Sequence, residues 1–578
     1  MTDSHQDLGD TNVPLFSSEA DGATRLGVLS SQAVRVIATL TVLAATVHSW
    51  MADGGLCDVL FVMGVFLTAG AVVTLASRRV LFATALVAAS MVLLRLIAVL
   101  KQQSTEVVLH AYDVASFLRS WSPIADLWHD NRADAAGLLV ALLAMIALGW
   151  IAWRVDPIRV RRVQALAAVA VCATLAGIGA NAKNIAGHTA FYYEERYLSF
   201  WLSSWPDTIR ALWRGHLIEA AKSATGPALK LPVSCNLVSR PPHIILIHQE
   251  SVVPPHYFPQ IRYDRDIDPM FQSFDGRVHK LRVETYGGAS WLTEFSTLTG
   301  LSALSLGGLH QFAQTIMARK TRETLPQALG RCGYRNVAVH PMLRVYLAIG
   351  SFFQAVGFDK MLDAKDQGAT ADIERDRVYF ANALTETERH LKTSSQPLFL
   401  FVETMATHGP YSFTYRPEMH VPGGGSGTAP EMHEYLRRLG MAHKDYAFLR
   451  SELMQRFPGE SFLIVQYGDH QPLVTLPLLG FRNDASIEEV MQSGNEAALL
   501  TYYAIDGVRY RPPPLPDLDT LDIPYLGTVM LTAAGLPLSD TYRERKHLMA
   551  TCNGRYHGCP DVLEFNRRLI HSKIVDAL

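Results

Sequence analysis

The chain has 578 residues and a formal net charge of −2, with 49% hydrophobic and 18% charged residues. This balance gives no indication of a basic surface, so we expect no nucleic-acid partner. The mean hydropathy of +0.11 is high for a soluble protein, and nearly all the long apolar runs lie in the first third of the chain. The composition therefore favours a membrane region followed by a more polar domain.

Residues 1–30 are polar and lack a signal-peptide pattern, so we predict a cytoplasmic tail. Five apolar runs follow, each close to the ~20 residues that cross a bilayer. Arginines follow the second run and the fourth, and the positive-inside rule places both of these loops in the cytoplasm. With five spans, everything after residue 182 is predicted to lie outside a bacterial inner membrane. The runs are roughly 33–50, 56–77, 80–100, 135–153 and 163–181, within a transmembrane region of 31–182.

The loop between the third and fourth runs, 101–134, mixes aromatic residues with charges and is predicted to lie as an amphipathic segment on the outer leaflet. Its aromatic residues are Tyr112, Phe117, Trp121 and Trp128. After the last span we predict a connector at 183–240, a catalytic domain at 241–545 and a C-terminal segment at 546–578.

Six cysteines are too few for a disulfide scaffold. Cys552 and Cys559 flank a short loop in the C-terminal segment. Outside the cytoplasm they could close a disulfide, whereas together with His557 they could bind zinc. The sequence leaves both interpretations open.

Four short apolar runs after residue 240 are bounded by turns or polar residues, as buried parallel strands are. Helical patterns lie between them, over 323–332 and 371–392. This alternation predicts an open α/β domain with a mainly parallel sheet, following an N-terminal α-helical transmembrane bundle. The runs are 243–249, 336–340, 397–403 and 461–469.

Chemically active side chains follow three of these predicted strands. Glu250 comes directly after the first strand, His408 follows the third in Thr-His-Gly-Pro, and Asp469-His470 ends the fourth. In open α/β sheets, sites form at the carboxyl ends of the strands. Each motif alone is more often a plain turn or helix start, and it is their joint occurrence that favours a site.

Glu250, Asp469 and His470 offer two carboxylates and an imidazole, a donor set that suits one divalent metal ion, Zn²⁺ or Mn²⁺. Ser290, in Gly-Gly-Ala-Ser, could supply a further oxygen and act as a nucleophile with a lowered pKa. Gly287 and Gly288 would let the backbone approach an anionic group, and a helix beginning near residue 290 would direct N–H groups at a phosphate. The alternative for Ser290 is an ordinary helix N-cap.

The order Glu-Ser, Gly-x-x-Ser-x-x-x-Glu-Phe, His-Gly-Pro-Tyr and Gly-Asp-His resembles the sulfatase-like branch of the alkaline phosphatase superfamily. With several spans in front, the chain is most similar to the lipoteichoic acid synthase and periplasmic-glucan phosphoglycerol transferase group. The resemblance implies that Glu250, Asp469 and His470 bind the metal and that Ser290 is the nucleophile and also contacts it. It further implies that His408 contacts the substrate phosphate or assists the leaving group.

Two features depart from the lipoteichoic acid synthases. Those enzymes carry threonine where this chain has Ser290, and they hold the head group with a Trp-x-Arg ahead of a Gly-Phe-Asp-Lys motif. The chain has that motif at 357–360 but no Trp-x-Arg before it. Arg344 or His340 is the candidate to replace it, and Gly288 and His408 are the other predicted substrate contacts.

The resemblance implies transfer of a phospho-head-group from a membrane phospholipid, phosphatidylglycerol first among them, to an envelope glycan through a serine-linked intermediate. Three alternatives stay open: a phosphatidylethanolamine donor, a hydrolase that uses water as acceptor, and a non-catalytic envelope scaffold. The related phosphoethanolamine transferases usually use threonine and carry several disulfides. True sulfatases require a Cys/Ser-x-Pro-x-Arg motif, and Ser-Trp-Leu-Thr lacks it.

Overall fold

The structure is a computed structural model. The residues that it describes form two compact units, one within 1–96 and 133–184, the other within 97–132 and 185–578. Each unit is considered by itself below. The described residues are 29–105, 108–114, 132–182, 196–206, 208–209, 226–231, 235, 237, 240–344, 346–369 and 373–576.

Five helices among the described residues are long and apolar enough to cross a membrane, as the sequence predicts. Small residues allow two of them, the second and the fifth, to approach closely. A Cβ atom built on Gly64 would lie 2.5 Å from the backbone nitrogen of Ala176, and one on Gly179 would lie 2.6 Å from that of Phe61. The helices are α1 Ser31–Asp53, α2 Leu56–Ser77, α3 Val80–Thr105, α4 Arg132–Val155 and α5 Arg162–Ala182.

The second unit is built on an eight-stranded sheet with the order β4-β3-β5-β1-β6-β7-β2-β8. Only β7 runs against the other strands. The central strand β1 is buried along its whole length, which is typical of a parallel sheet covered on both faces. The strands are β1 His243–Gln249, β2 His279–Arg282, β3 Arg335–Val339, β4 Lys360–Leu362, β5 Leu398–Thr404, β6 Phe462–Gly468, β7 Leu500–Val508 and β8 Thr520–Asp522.

Helices cover both faces of the sheet and close two hydrophobic cores. Ile244 and Leu246 of β1 point into one core, and Ile245 and Ile247 point into the other, as the alternation of a strand requires. The helices are α6 Leu198–Ser203, α7 Ser290–Thr299, α8 Ala313–Met317, α9 Leu325–Arg331, α10 Ile349–Val356, α11 Ala364–Gln367, α12 Asp376–Leu391, α13 Pro430–Arg456, α14 Ile487–Gln492, α15 Leu526–Ala533, α16 Asp540–Thr551 and α17 Pro560–His571.

The four predicted strands agree with β1, β3, β5 and β6 to within one residue at each end. The C-terminal segment belongs to the same unit, because Leu548 of α16 and Phe565 of α17 lie in the core that α7 also enters. Cys552 and Cys559 form a disulfide, so the zinc interpretation of this pair is wrong. A second disulfide, Cys235–Cys332, was not predicted.

The predicted amphipathic loop is described only in part. Phe117, Trp121 and Trp128 lie outside the described residues. Tyr112 does not lie at a surface: it is 6% exposed and its ring contacts that of Phe312, with centroids 5.5 Å apart. The ring of Tyr112 belongs to the hydrophobic core of the second unit.

Candidate active site

The register of the sheet brings Glu250 and Asp469 side by side. Gln249, the last residue of β1, pairs with Gly468, the last residue of β6, so the residues that follow leave the sheet at the same level. Ligand atoms of Glu250, Asp469 and His470 all lie within 4.8 Å of one another, and all three residues are buried. The predicted metal ligands are therefore assembled at one point of the carboxyl edge.

Gly468 makes this approach possible. A Cβ atom on Gly468 would lie 1.9 Å from the carbonyl oxygen of Val252, where no side chain fits. The turn after β1 thus lies directly against the end of β6. The same turn donates the backbone N–H of Ser251 to Oδ1 of Asp469 at 2.7 Å.

Ser290 is the first residue of α7 and follows three consecutive residues with positive φ. Gly287, Gly288 and Ala289 have φ values of 68°, 154° and 67°. A left-handed conformation is unusual for alanine, and strain of this kind is concentrated at functional sites. The helix is capped by Ala289 without a side-chain hydrogen bond. Ser290 is therefore not an N-cap, and its hydroxyl is free for other partners.

The hydroxyl of Ser290 donates a hydrogen bond to Oε2 of Glu250 at 2.8 Å and lies 3.5 Å from Nε2 of His470. Thr293, one turn further along α7, donates to the backbone carbonyl of Asp469 at 2.9 Å. The helix start is thus fixed to both strand ends that carry the other predicted ligands. The four residues predicted from the sequence as metal ligands form one cluster.

The tautomer of His470 suits a metal ligand. Its Nδ1 lies 3.0 Å from the carbonyl oxygen of Gln471, which can only accept, so Nδ1 carries the ring proton. Nε2 then faces the carboxylates, at 3.3 Å from Glu250 and 3.4 Å from Asp469, and is the nitrogen that could bind a metal ion in place of its proton. This is the arrangement that metal-binding histidines adopt, with the second nitrogen oriented by a carbonyl.

The site is strongly negative. Burial alone would lower the pKa of His470, but the carboxylates of Asp469 and Glu250 outweigh it and raise the pKa to about 9. Burial would likewise raise the pKa of Glu250, but the neighbouring charges of His470 and His408 hold it well below its ordinary value. A potential that retains a proton on an imidazole also attracts a divalent cation.

Behind these ligands, His248 of β1 supports Asp469. Its Nε2 lies 3.3 Å from Oδ2 of Asp469, and its Nδ1 lies 2.7 Å from the hydroxyl of Tyr467. His248 is fully buried. A histidine in this place orients the carboxylate that the metal would use. A histidine within an apolar strand has no distinctive pattern, so the sequence alone gives no indication of a function for His248.

His408 lies on a loop that is attached to the same edge. Thr407 donates its hydroxyl to the backbone carbonyl of Glu250, and Tyr411 donates to the carbonyl of Thr407 at 2.6 Å. The Nδ1 of His408 lies 2.7 Å from the carbonyl oxygen of Gly409 and therefore carries a proton. Its Nε2 is the remaining position for contact with a substrate.

His340, a predicted substrate contact, lies instead in a second buried cluster. Its Nε2 is 2.9 Å from Glu294 and 3.0 Å from Glu403, and it is 1% exposed. Its Nδ1 accepts the backbone N–H of Met342 at 3.1 Å, so Nε2 must carry the ring proton. In this neutral tautomer Nε2 has no lone pair for a metal ion. This cluster of two carboxyls and an imidazole therefore does not match the metal-binding geometry of His470.

The remaining predicted substrate contacts are placed as follows. Arg344 is half exposed and pairs with Asp363 and Asp366. Gly288 lies in the turn before Ser290, where its carbonyl accepts from the hydroxyl of Thr285 at 2.6 Å. Gly288 is close to Ser290 in the chain, and His408 follows Thr407, which donates to the carbonyl of Glu250. The described contacts of Arg344 involve none of the four predicted metal ligands.

A family model described as Sulfatase matches residues 273–491, which include Ser290, His408, Asp469 and His470. The predicted resemblance to sulfatase-like proteins is confirmed over these residues. In the structure, the same unit also contains β1 and Glu250, which precede the matched residues.

The curated relatives that the chain matches are 24–29% identical, and the matches span 33–60% of their own lengths. One of them is a putative cyclic beta-1,2-glucan modification protein of Rhizobium meliloti, 24% identical over 240 residues, which cover 40% of this chain and 36% of the relative.

Two solved structures are also similar. The phosphoglycerol transferase GacH of Streptococcus pyogenes has 17% identity and a TM-score of 0.44, covering 61% of this chain and 97% of that one. The lipooligosaccharide phosphoethanolamine transferase A of Neisseria meningitidis has 11% identity and a TM-score of 0.46, covering 92% and 100%.

Proposed function

We propose that the chain is a membrane-anchored, metal-dependent transferase that moves phosphoglycerol from phosphatidylglycerol to a hydroxyl of an envelope glycan. One observation carries the proposal. The hydroxyl of Ser290 is directed at Glu250 and His470, within a buried cluster of predicted metal ligands, and it does not cap its own helix. A serine held in this way is a nucleophile rather than a structural hydroxyl.

The metal would be held by the carboxylates of Glu250 and Asp469, by Nε2 of His470 and by Oγ of Ser290. Bound there, Zn²⁺ or Mn²⁺ would lower the pKa of the serine hydroxyl and offset negative charge on the phosphoryl oxygens. The donor set and the tautomer of His470 fit this ion.

In the first half-reaction Oγ of Ser290 attacks the phosphorus of the donor, and the bond from phosphorus to the diacylglycerol oxygen breaks. Ser290 releases one proton to solvent, and diacylglycerol gains one. His408 is assigned the second of these transfers, because its Nδ1–H is fixed on Gly409 and its Nε2 can exchange a proton. The N–H groups that begin α7 lie next to Ser290 and favour the phosphoryl charge.

In the second half-reaction a sugar hydroxyl attacks the phosphorus, its proton passes to His408, and Oγ of Ser290 leaves and regains a proton from solvent. Atoms and charge then balance over the cycle. The name of the Rhizobium relative concerns glucan modification, which supports a glycan acceptor. The five apolar helices would hold the site at the surface of the lipid that supplies the donor.

The proposed location of the site is outside the inner membrane of a bacterium. The arginine-rich loops after α2 and α4 would face the cytoplasm, which leaves the domain after α5 outside. The two disulfides support this orientation, because they form and persist in oxidising compartments.

A second candidate is the transfer of phosphoethanolamine by the same residues. Phosphoethanolamine transferases of this superfamily carry several disulfides, and a scarcity of cysteines weighs against that group. Cys235–Cys332 and Cys552–Cys559 weaken this argument, since four of the six cysteines are paired.

The two candidates differ in the group that Ser290 would carry. The purified full chain is incubated with equimolar phosphatidylglycerol and phosphatidylethanolamine, quenched with acid, and digested for mass spectrometry of the Ser290 peptide. A glycerol phosphate adduct is expected. An ethanolamine phosphate adduct would select the second candidate, and turnover without any adduct on Ser290 would exclude the proposed mechanism.

A further inference from the structure

One arginine of the second unit is buried without solvent contact and is directed at the loop that carries His408. Arg438, in the middle of α13, has a fully buried side chain. Its Nε donates to Glu434 at 2.8 Å, one turn earlier on the same helix. The rest of its guanidinium group points away from α13, toward residues 408–413.

The guanidinium group binds three backbone carbonyls of this loop. Nη1 donates to the carbonyl of His408 at 2.6 Å, and Nη2 donates to those of Pro410 at 2.9 Å and Phe413 at 3.3 Å. Three separate acceptors around one plane match the fixed fork of N–H donors in arginine. A lysine ammonium on its flexible stem could reach one of these carbonyls but would not fix all three.

Aromatic rings complete the surroundings of Arg438. The ring centroids of Tyr411, Phe413 and Tyr415 lie 5.2, 5.0 and 5.6 Å from its Cζ atom. All three rings belong to the loop that the arginine binds, so charge and rings attract each other in a dry environment. The conformation of the loop after His408 is therefore organised around one side chain of another element.

We propose that Arg438 is a positioning residue that fixes His408 in the turn attached to Glu250. The loop is attached at its start to the metal site by Thr407, which donates to the carbonyl of Glu250. Arg438 holds the other side of the same turn, and His408 lies between the two attachments. The proposal rests on the function assigned above to His408, since Arg438 acts only through that residue.

The neighbouring arginine supplies a matched control. Arg437 also pairs with Glu434, at 2.6 Å, and also binds carbonyls of this connection. Its acceptors are Tyr415 and Met419, which lie beyond the turn of His408. Substitution of Arg437 removes a comparable number of contacts from the same loop and leaves those of His408 in place.

The experiment is a double-mutant cycle on the full chain in lipid-containing detergent micelles, with Arg438→Lys, His408→Gln, the double variant, and Arg437→Lys as control. Rates are measured with phosphatidylglycerol as donor and with bis-p-nitrophenyl phosphate, a soluble phosphodiester. Metal content and melting temperature are recorded for every variant. The soluble ester allows the cycle to be completed even if no phospholipid is a donor, so failure of the proposed function is recognised separately.

Arg438→Lys is expected to retain bound metal and to lower kcat about 100-fold, as misplacement of a catalytic group does. When His408→Gln is already present, Arg438→Lys should lower kcat less than about threefold, because the residue that Arg438 positions is already gone. Arg437→Lys should stay within about threefold of the parent. Equal losses from Arg438→Lys in both backgrounds, or full activity of Arg438→Lys, would overturn the proposal.

Discussion

Ser290 and Glu250 are joined by a hydrogen bond of 2.8 Å that links the first residue of a helix to the first residue after the central strand. The two residues are 40 positions apart in the chain, and the turn with three positive φ values aims one at the other. This contact places a hydroxyl inside a group of carboxylates, where a structural serine has no need to be.

Ser290→Ala should abolish head-group transfer and retain the membrane-inserted fold, because the hydroxyl serves no helix cap. Activity should fall by at least about 10³-fold, the scale seen when a covalent nucleophile is removed. Ser290→Thr keeps the hydroxyl and should retain measurable transfer. Transfer assays and circular dichroism on the same preparations check both, and an active alanine variant would contradict the assignment.

Metal binding should depend on Asp469. Asp469→Asn removes the negative charge that Ser251 and His248 orient, so we expect the loss of about one equivalent of Zn²⁺ or Mn²⁺, measured by elemental mass spectrometry. Asp445→Asn is the control, since Asp445 is an equally buried carboxylate that pairs with Arg375. Equal metal content in the Asp469 variant and the parent would refute the site.

Glu403→Gln should be tolerated and should alter the dependence of stability on pH. Burial raises the pKa of Glu403 to about 8 from an ordinary value of 4.5. Between these values the folded protein keeps a proton that the unfolded chain releases, so the contribution of Glu403 to the free energy of unfolding falls as pH rises. The side chain of Glu403→Gln does not ionise, so the stability of this variant does not fall with pH at this position.

Thermal unfolding of the parent and of Glu403→Gln between pH 5 and pH 8 tests the sign. As pH rises, the free energy of unfolding of Glu403→Gln should increase relative to that of the parent by at most about 1.4 kcal/mol per pH unit. Glu294→Gln is the contrasting variant. Glu294 accepts from Gln314 and His340, and its loss should destabilise the fold throughout the range. Parallel pH profiles for the parent and Glu403→Gln would show that Glu403 is ionised in the fold.

The two disulfides should contribute unequally to stability. The cysteines of the Cys235–Cys332 disulfide are 97 residues apart in the chain, and those of the Cys552–Cys559 disulfide are 7 residues apart. In the chain-entropy view their removal costs about 4–5 and about 2 kcal/mol. Melting temperatures of the paired serine variants check the order. A larger loss from the short loop would point to native contacts of α16 and α17 as the stronger effect.

The sequence was sufficient to predict the central strands and the four clustered residues. Strands β1, β3, β5 and β6 are apolar runs, predicted ligands directly follow β1 and β6, and parallel strands must end at one edge. β2 and β8 were not predicted, because four and three residues are too few to show a period. The sequence carries no local sign that Cys235 reaches Cys332.

The placement of His340 also required the structure. A histidine after a strand is equally compatible with contact to a substrate and with burial, and only the partners of its two nitrogens decide between them. Glu294 could have been recognised, since it lies four residues after Ser290 on the same side of a helix. The function of Arg438 could not be predicted from the sequence, because this arginine contacts backbone carbonyls, which every residue type carries.

The collision that any side chain at position 468 would make with Val252 supplies a criterion for comparing related proteins. A larger residue there would push the end of β6 away from β1 and separate Asp469 from Glu250, even if every ligand were retained. Homologues that keep both carboxylates but replace this glycine are therefore expected to have lost metal-dependent chemistry, and this single position should distinguish active enzymes from inactive descendants.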